Sequence, residues 1–138
     1  MIGILIVAHG AFGEALIHCA SHVLGKRPLR VRQVGVTVHD DPDAILPQAR
    51  DLVKQLDEGD GVLVLTDMMG ATPSNIATRL MDPGRVEVVA GVSLPMLIRA
   101  LTYRAESLAT VAAKAVSGGR EGALHLTRDE ARGAAGRG

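Results

Sequence analysis

Ile2-Gly3-Ile4-Leu5-Ile6-Val7-Ala8 runs without a charge up to His9 and Gly10. A strand with no polar alternation is buried on both faces, which calls for a parallel sheet with helices packed above and below it. The same run says where chemistry can gather, because open sheets of this kind hold their ligands at the carboxyl ends of the strands. His9 stands at such an end, and Gly10 lets the main chain turn sharply and approach a ligand. An imidazole there can act as nucleophile, base or metal ligand, or can cap the helix that follows.

The rest of the chain alternates strand and helix. Phe12, Ala15, Leu16, Cys19, Ala20, Val23 and Leu24 recur at helical spacing, which predicts a helix over 12–25 ending at Gly25, with Cys19 as a core filler on its apolar stripe. A short strand is expected from Val31 to Val36. Asp40, Asp41 and Asp43 then supply capping oxygens ahead of a stripe of Ile45, Leu46, Ala49, Leu52, Val53 and Leu56, where Pro47 confines or bends the first turn. After the Gly59-Asp60-Gly61 turn, Val62-Leu63-Val64-Leu65 is a second uncharged strand leading into Thr66 and Asp67. Thr72 as N-cap and Pro73 as first helical residue open a helix running to about Met81. Arg85 to Ala90 reads as the fourth strand. Ser93 and Pro95 open another helix, and Leu108, Val111, Ala112, Ala115 and Val116 mark a last one stopping at Gly118-Gly119. Gly122 to Leu126 is a short candidate fifth strand, and the tail from Thr127, rich in Arg, Gly and Ala, reads as frayed.

Composition narrows the function. Fifteen basic and 15 acidic residues cancel, and one Phe, one Tyr and no Trp leave little to stack on bases, so nucleic-acid binding is not expected. The uncharged runs are far shorter than the roughly 20 residues of a membrane helix, so a soluble protein is expected. Cys19 is the single cysteine, which excludes an internal disulfide and suits a reducing cytoplasm. The chain opens on a strand rather than a basic and apolar leader, so no secretory signal is expected.

If the strand ends converge, His9 and Asp67 come within reach of each other. A carboxylate bonded to one ring nitrogen leaves the other free to react, which makes His9 a candidate nucleophile, although Asp67 taken alone can also be a surface cap. Gly70, Ala71 and Thr72 offer backbone amides at a helix N-terminus, plus a hydroxyl, to receive an anion such as phosphate. Other polar clusters suggest less. Glu14, His18 and His22 lie four apart on a helix face, but a solvated face needs no ligand, and no metal site is expected. His39-Asp40-Asp41 is better explained by capping, and His125 faces solvent or an interface.

Three segments, Ala8-His9-Gly10, Thr66-Asp67-Met68-Met69-Gly70-Ala71-Thr72-Pro73-Ser74-Asn75 and Gly91-Val92-Ser93-Leu94-Pro95-Met96, resemble in order and spacing the motifs of the mannose-type enzyme IIA domains of the bacterial phosphoenolpyruvate-dependent sugar phosphotransferase system. The resemblance spans roughly residues 1–126 and implies a phosphocarrier domain there, with a flexible tail over 127–138. It implies that His9 takes a phosphoryl group from the histidine phosphocarrier protein HPr and passes it to a IIB partner or a regulatory acceptor, peripheral to a membrane permease at most. Asp67 would orient the ring, and Thr72 with the amides of Gly70 and Ala71 would hold the phosphoryl oxygens. No cofactor is implied, because the phosphohistidine itself carries the group. A homodimer is also implied, in which the last strand pairs antiparallel with the partner's sheet. The expected fold is therefore a three-layer α/β open sheet of four parallel strands plus a short C-terminal antiparallel strand, with helices on both faces.

Ala71 stands where the family often has a second glycine, Thr72 where serine is frequent, and Ser93 where asparagine is usual. The rival readings are the phosphoryl-donor subunit of dihydroxyacetone kinase, a phosphorylation-dependent regulatory module, and a tetrapyrrole chelatase, which needs a second strand-end histidine. A receiver domain would need an acidic pair after the first strand, and a histidine phosphatase an arginine before His9. Ala8-His9 supplies neither.

Overall fold

In the computed structural model, which describes residues 1–137, the uncharged run forms β1 (Gly3–His9) in the interior of the sheet. The other strands are β2 (Val31–Val36), β3 (Val62–Thr66) and β4 (Val86–Ala90), all parallel and ordered β2-β1-β3-β4. Between and after them lie α1 (Phe12–Leu24), α2 (Pro42–Leu56), α3 (Thr72–Arg79), α4 (Leu94–Thr102), α5 (Leu108–Glu121) and α6 (Arg128–Arg137). Alternate residues of β1 enter two separate cores. Ile2, Ile4, Ile6 and Ala8 pack with Leu16 and Ile17 of α1, with Leu97 of α4 and with Val111 of α5. Leu5 and Val7 pack with Ile45 and Leu46 of α2 and Ile76 of α3. Each of these side chains of β1, and that of Ile2 just before it, is fully buried, and full burial of a large aliphatic contributes about 1.5–3 kcal/mol.

From β1 the chain passes to β2 on one side and then returns to β3 on the other. That reversal opens a crevice between the carboxyl ends of β1 and β3, where His9 and Asp67 lie. The turn after β1 depends on two glycines. Gly10 has φ +52°, and its amide donates to the Val36 carbonyl at 2.9 Å. A Cβ on Gly35 would sit 2.2 Å from the Gly10 carbonyl oxygen, so a side chain there would push the turn off the sheet.

Several local expectations are corrected. Cys19 is exposed, because α1 is rotated so that Gly13, Leu16, Ile17 and Ala20 face the sheet while Phe12 and Val23 face outward. Gly13 is what permits this face to close, since a Cβ there would lie 3.1 Å from Gln33 Cβ and 3.2 Å from Ile6. α5 passes through Gly118 and Gly119 to Glu121, with a Cβ on Gly118 falling 2.8 Å from Arg99 Cβ, so these glycines allow close packing against α4 rather than ending the helix. The fifth strand is not formed. Residues 123–127 have no regular structure and Leu124 and Leu126 are exposed, because no strand edge within the chain pairs with them. The tail read as frayed forms α6, whose start is closed by reciprocal bonds. The Thr127 amide donates to Glu130 Oε2 at 3.0 Å and the Glu130 amide to Thr127 Oγ1 at 3.2 Å.

Asp41 caps α2 as expected, accepting from the Asp43 amide at 3.0 Å, and the helix continues through Pro47. The amino end of the sheet is held by Arg104, a residue that no sequence pattern marks. Its guanidinium is buried and donates to the carbonyls of Ile2, Leu29 and Arg30 at 2.6–3.1 Å, tying the start of β1 to the segment before β2. Among the described residues no helix is long and apolar enough to cross a membrane.

Candidate active site

Val7 of β1 is in register with Thr66 of β3, so His9 and Asp67 leave the sheet side by side. Asp67 Oδ2 accepts two hydrogen bonds from His9, one from the main-chain amide at 2.9 Å and one from ring Nδ1 at 2.7 Å. Asp67 Oδ1 accepts from the Met68 amide at 2.9 Å. Burial is the largest single influence on this carboxyl and raises its pKa. The His9 amide, the His9 ring as donor and as charge, and the Met68 amide together outweigh it and hold the group below the usual carboxylate range. The carboxylate is thus ionised at neutral pH and can only accept, which assigns the ring proton to Nδ1 and leaves the lone pair on Nε2. The ring is 53% exposed and the carboxylate 14%, so the orienting group is sheltered and the reactive edge is open.

This arrangement can perform nucleophilic catalysis at nitrogen. A lone pair at Nε2 can attack an electrophile, and the positive charge that develops on the ring is stabilised through Nδ1–H by an anion already in place.

The loop after Asp67 carries the remaining residues of interest. Gly70 has φ +89°, a left-handed conformation that favours glycine. Its amide donates to Ser74 Oγ at 2.9 Å, and Ser74 Oγ donates in turn to the Ala71 carbonyl at 2.9 Å. The Ala71 amide turns back toward the Met68 carbonyl at 3.4 Å. Thr72 is not the N-cap of α3. That position falls to Ala71, in extended conformation, with Thr72 the first helical residue, and no side chain caps the helix start. Of the three amides expected to face an anion, those of Gly70 and Ala71 therefore have acceptors within the loop. The Thr72 amide has none among the described residues, and neither does that of Ser74. The Thr72 side chain is exposed beside them.

The third loop joins the other two as expected. The Val92 amide donates to the Thr66 carbonyl at 2.9 Å, and Ser93 caps α4, accepting from the Met96 amide at 3.3 Å. Ser74 was missed in the sequence because a serine in a first helical turn is ordinary. The signal that could have found it is its position four residues after a glycine in a loop that carries a candidate acid. Glu14 is tied to Arg27 at 3.1 Å, while His18 and His22 lie with ring centroids 5.0 Å apart. Among the described residues no three His, Cys, Asp or Glu side chains are grouped to hold a metal ion. His125 is exposed.

Residues 3–116 match the family model described as the PTS system fructose IIA component, EIIA-man. Over 128 residues the chain is 34% identical to the PTS system mannose-specific EIIAB component of Escherichia coli K12, a match covering 91% of this chain and 39% of that protein. The chain thus spans about two-fifths of that curated relative's length. It is 29% identical over 105 residues to the PTS system fructose-specific EIIA component of Bacillus subtilis, covering 75% of this chain and 71% of that one. Among solved structures, the phosphotransferase system component EIIA from Streptococcus agalactiae superposes with a TM-score of 0.80 at 25% identity, covering 91% of this chain and 97% of that one. The three strand-end loops, the parallel sheet that gathers them and a family match running through them from β1 into α5 place the chain in the mannose/fructose-type IIA family of the phosphotransferase system, as a phosphotransferase component.

Proposed function

We propose that the chain is a phosphocarrier that receives a phosphoryl group on His9 Nε2 from phospho-HPr and gives it to a IIB partner. The observation that carries this reading is the pair of hydrogen bonds that His9 donates to Asp67 Oδ2, from amide and from ring, which holds both the position and the tautomer of the imidazole. In the transfer, a nitrogen–phosphorus bond forms at Nε2 as the donor's nitrogen–phosphorus bond breaks and the donor nitrogen keeps the electron pair. Nδ1 retains its proton throughout. Asp67 stabilises the ring while it carries the group, and the Thr72 amide and hydroxyl take the phosphoryl oxygens at the start of α3, the Gly70 and Ala71 amides being engaged within the loop. This exchange belongs in the cytoplasm.

The chain works as a homodimer in this reading. β4 is the last strand of the sheet among the described residues, and a cavity of about 500 Å3 beside it is lined by Val88, Val89, Met96 and Val116. The exposed segment 122–126 of a second copy, with Leu124 and Leu126, supplies an apolar strand to cover that edge.

The test is intact mass after incubation with phosphoenolpyruvate, enzyme I and HPr, for wild type and His9→Ala. One acid-labile phosphate on wild type and none on the variant is the expected result. No phosphate on wild type while HPr is phosphorylated would overturn it. Light scattering on the same samples should give twice the chain mass, and a single-chain mass at tens of micromolar would remove the dimer.

A further inference from the structure

We propose that Ser74 is a positioning residue for phosphoryl transfer through His9, a role that rests on the function proposed above. Ser74 is one of the few buried polar residues of the chain, with 7% of its surface exposed. Its hydroxyl makes two bonds in opposite directions, accepting from the Gly70 amide and donating to the Ala71 carbonyl, each at 2.9 Å. A serine that only satisfied its own helix would donate to a carbonyl a turn earlier and stop there. Here the accepted bond reaches out of the helix to Gly70, whose left-handed φ of +89° makes it the point where the loop turns.

Two consequences follow for the site. The loop from Met68 to Ala71 is clasped to the first turn of α3, and Met68 is the residue whose amide donates to Asp67 Oδ1. Fixing this loop fixes the plane of the carboxylate, and that plane decides how well Oδ2 meets His9 Nδ1. The clasp also draws the Gly70 amide inward, so the donors left to meet an incoming phosphoryl group are the Thr72 amide and hydroxyl and the Ser74 amide. Ser74 therefore selects which donors face the reacting group without touching that group through its own side chain.

Ser74→Ala removes the clasp while keeping a small side chain, and Ser74→Thr keeps the hydroxyl. Both are compared with wild type in single-turnover phosphorylation by phospho-HPr, with nitrogen spectra of the His9 ring reporting the fraction protonated at Nδ1. The expected result for Ser74→Ala is a saturating rate lowered about 10-fold, as a small misplacement of a positioning group produces. Its half-saturating HPr concentration should stay within about two-fold, since the HPr surface is untouched. Nδ1 protonation should fall, and Ser74→Thr should restore both rate and spectrum. A wild-type rate in Ser74→Ala overturns the proposal, as does a slow variant with an unchanged His9 spectrum. If Ser74→Ala does not fold, hydrogen exchange of the Gly70 amide in wild type decides, and fast exchange overturns the clasp. If wild type accepts no phosphate, the proposed function falls, and the ring spectra of the two variants alone decide whether Ser74 positions the His9–Asp67 pair.

Discussion

β3 is bracketed by two carboxylates, Asp57 at its amino end and Asp67 at its carboxyl end, and they are held by the same kind of bonds. Asp57 Oδ1 accepts from the amides of Gly59 at 2.8 Å and Gly61 at 3.1 Å, and Oδ2 pairs with Arg85. Asp67 accepts from the amides of His9 and Met68 and from the His9 ring. Both groups lie below the ordinary carboxylate range. For Asp57 the Gly59 bond is the largest influence and lowers the pKa against burial, while for Asp67 burial is the largest and is outweighed by the His9 and Met68 donors. The difference is what the third partner has left over. Arg85 directs another donor to the Gly59 carbonyl at 3.1 Å, closing a structural clasp, whereas His9 keeps Nε2 unengaged and exposed. One acceptor geometry thus gives a staple with a guanidinium and a candidate site with an imidazole.

Asp67→Asn breaks the site end most severely. An amide offers an NH2 group where the carboxylate offered an oxygen, which favours a lone pair on Nδ1 and a proton on Nε2. Phosphoryl acceptance in stopped-flow should fall about 10⁴-fold, in line with tautomer-reversing changes elsewhere, a far larger effect than the accompanying loss of stability. Arg104→Met breaks the amino end instead. It removes the guanidinium donors from the carbonyls of Ile2 and Leu29, while the Arg30 carbonyl keeps the Ile4 amide, and urea unfolding should show a loss of about 2–3 kcal/mol with the phosphorylation rate preserved. An equal loss of rate and stability in either variant would erase the distinction between the two ends. The smallest effect is in acid. Each aspartate binds its proton less readily in the folded chain than in the unfolded one. Its stabilising contribution is therefore complete above the ordinary carboxylate range and is lost as pH falls below 3.8 through the lowered folded values. Acid titration of Asp57→Asn should show a shallower loss of stability over that window than wild type, the remaining loss including that of Asp67.

What could be read from the sequence was what periodicity and strand ends encode. The uncharged β1 implies burial on both faces, and burial on both faces implies a parallel sheet whose strand ends meet, which brings His9 to Asp67. Ser93 at its helix start was equally plain. Cys19 was misplaced because two overlapping stripes satisfy helical spacing in α1, and the choice between them turns on how closely Gly13 approaches Gln33, a tertiary contact. Arg104 was invisible because its partners are carbonyls far away in the chain, and carbonyls carry no sequence signal. Segment 122–126 has the pattern of a strand, but a strand exists only where an edge receives it.

Asp67 Oδ2 grips His9 at both the main chain and the ring. A side chain anchored at two points cannot swing between stations, as a carrier on a flexible arm would. Any two proteins that exchange a group through this imidazole must then visit it by turns on the same patch of surface, each excluding the other. Traffic through the carrier would follow ping-pong kinetics, and an excess of either visitor would hold the other in a queue.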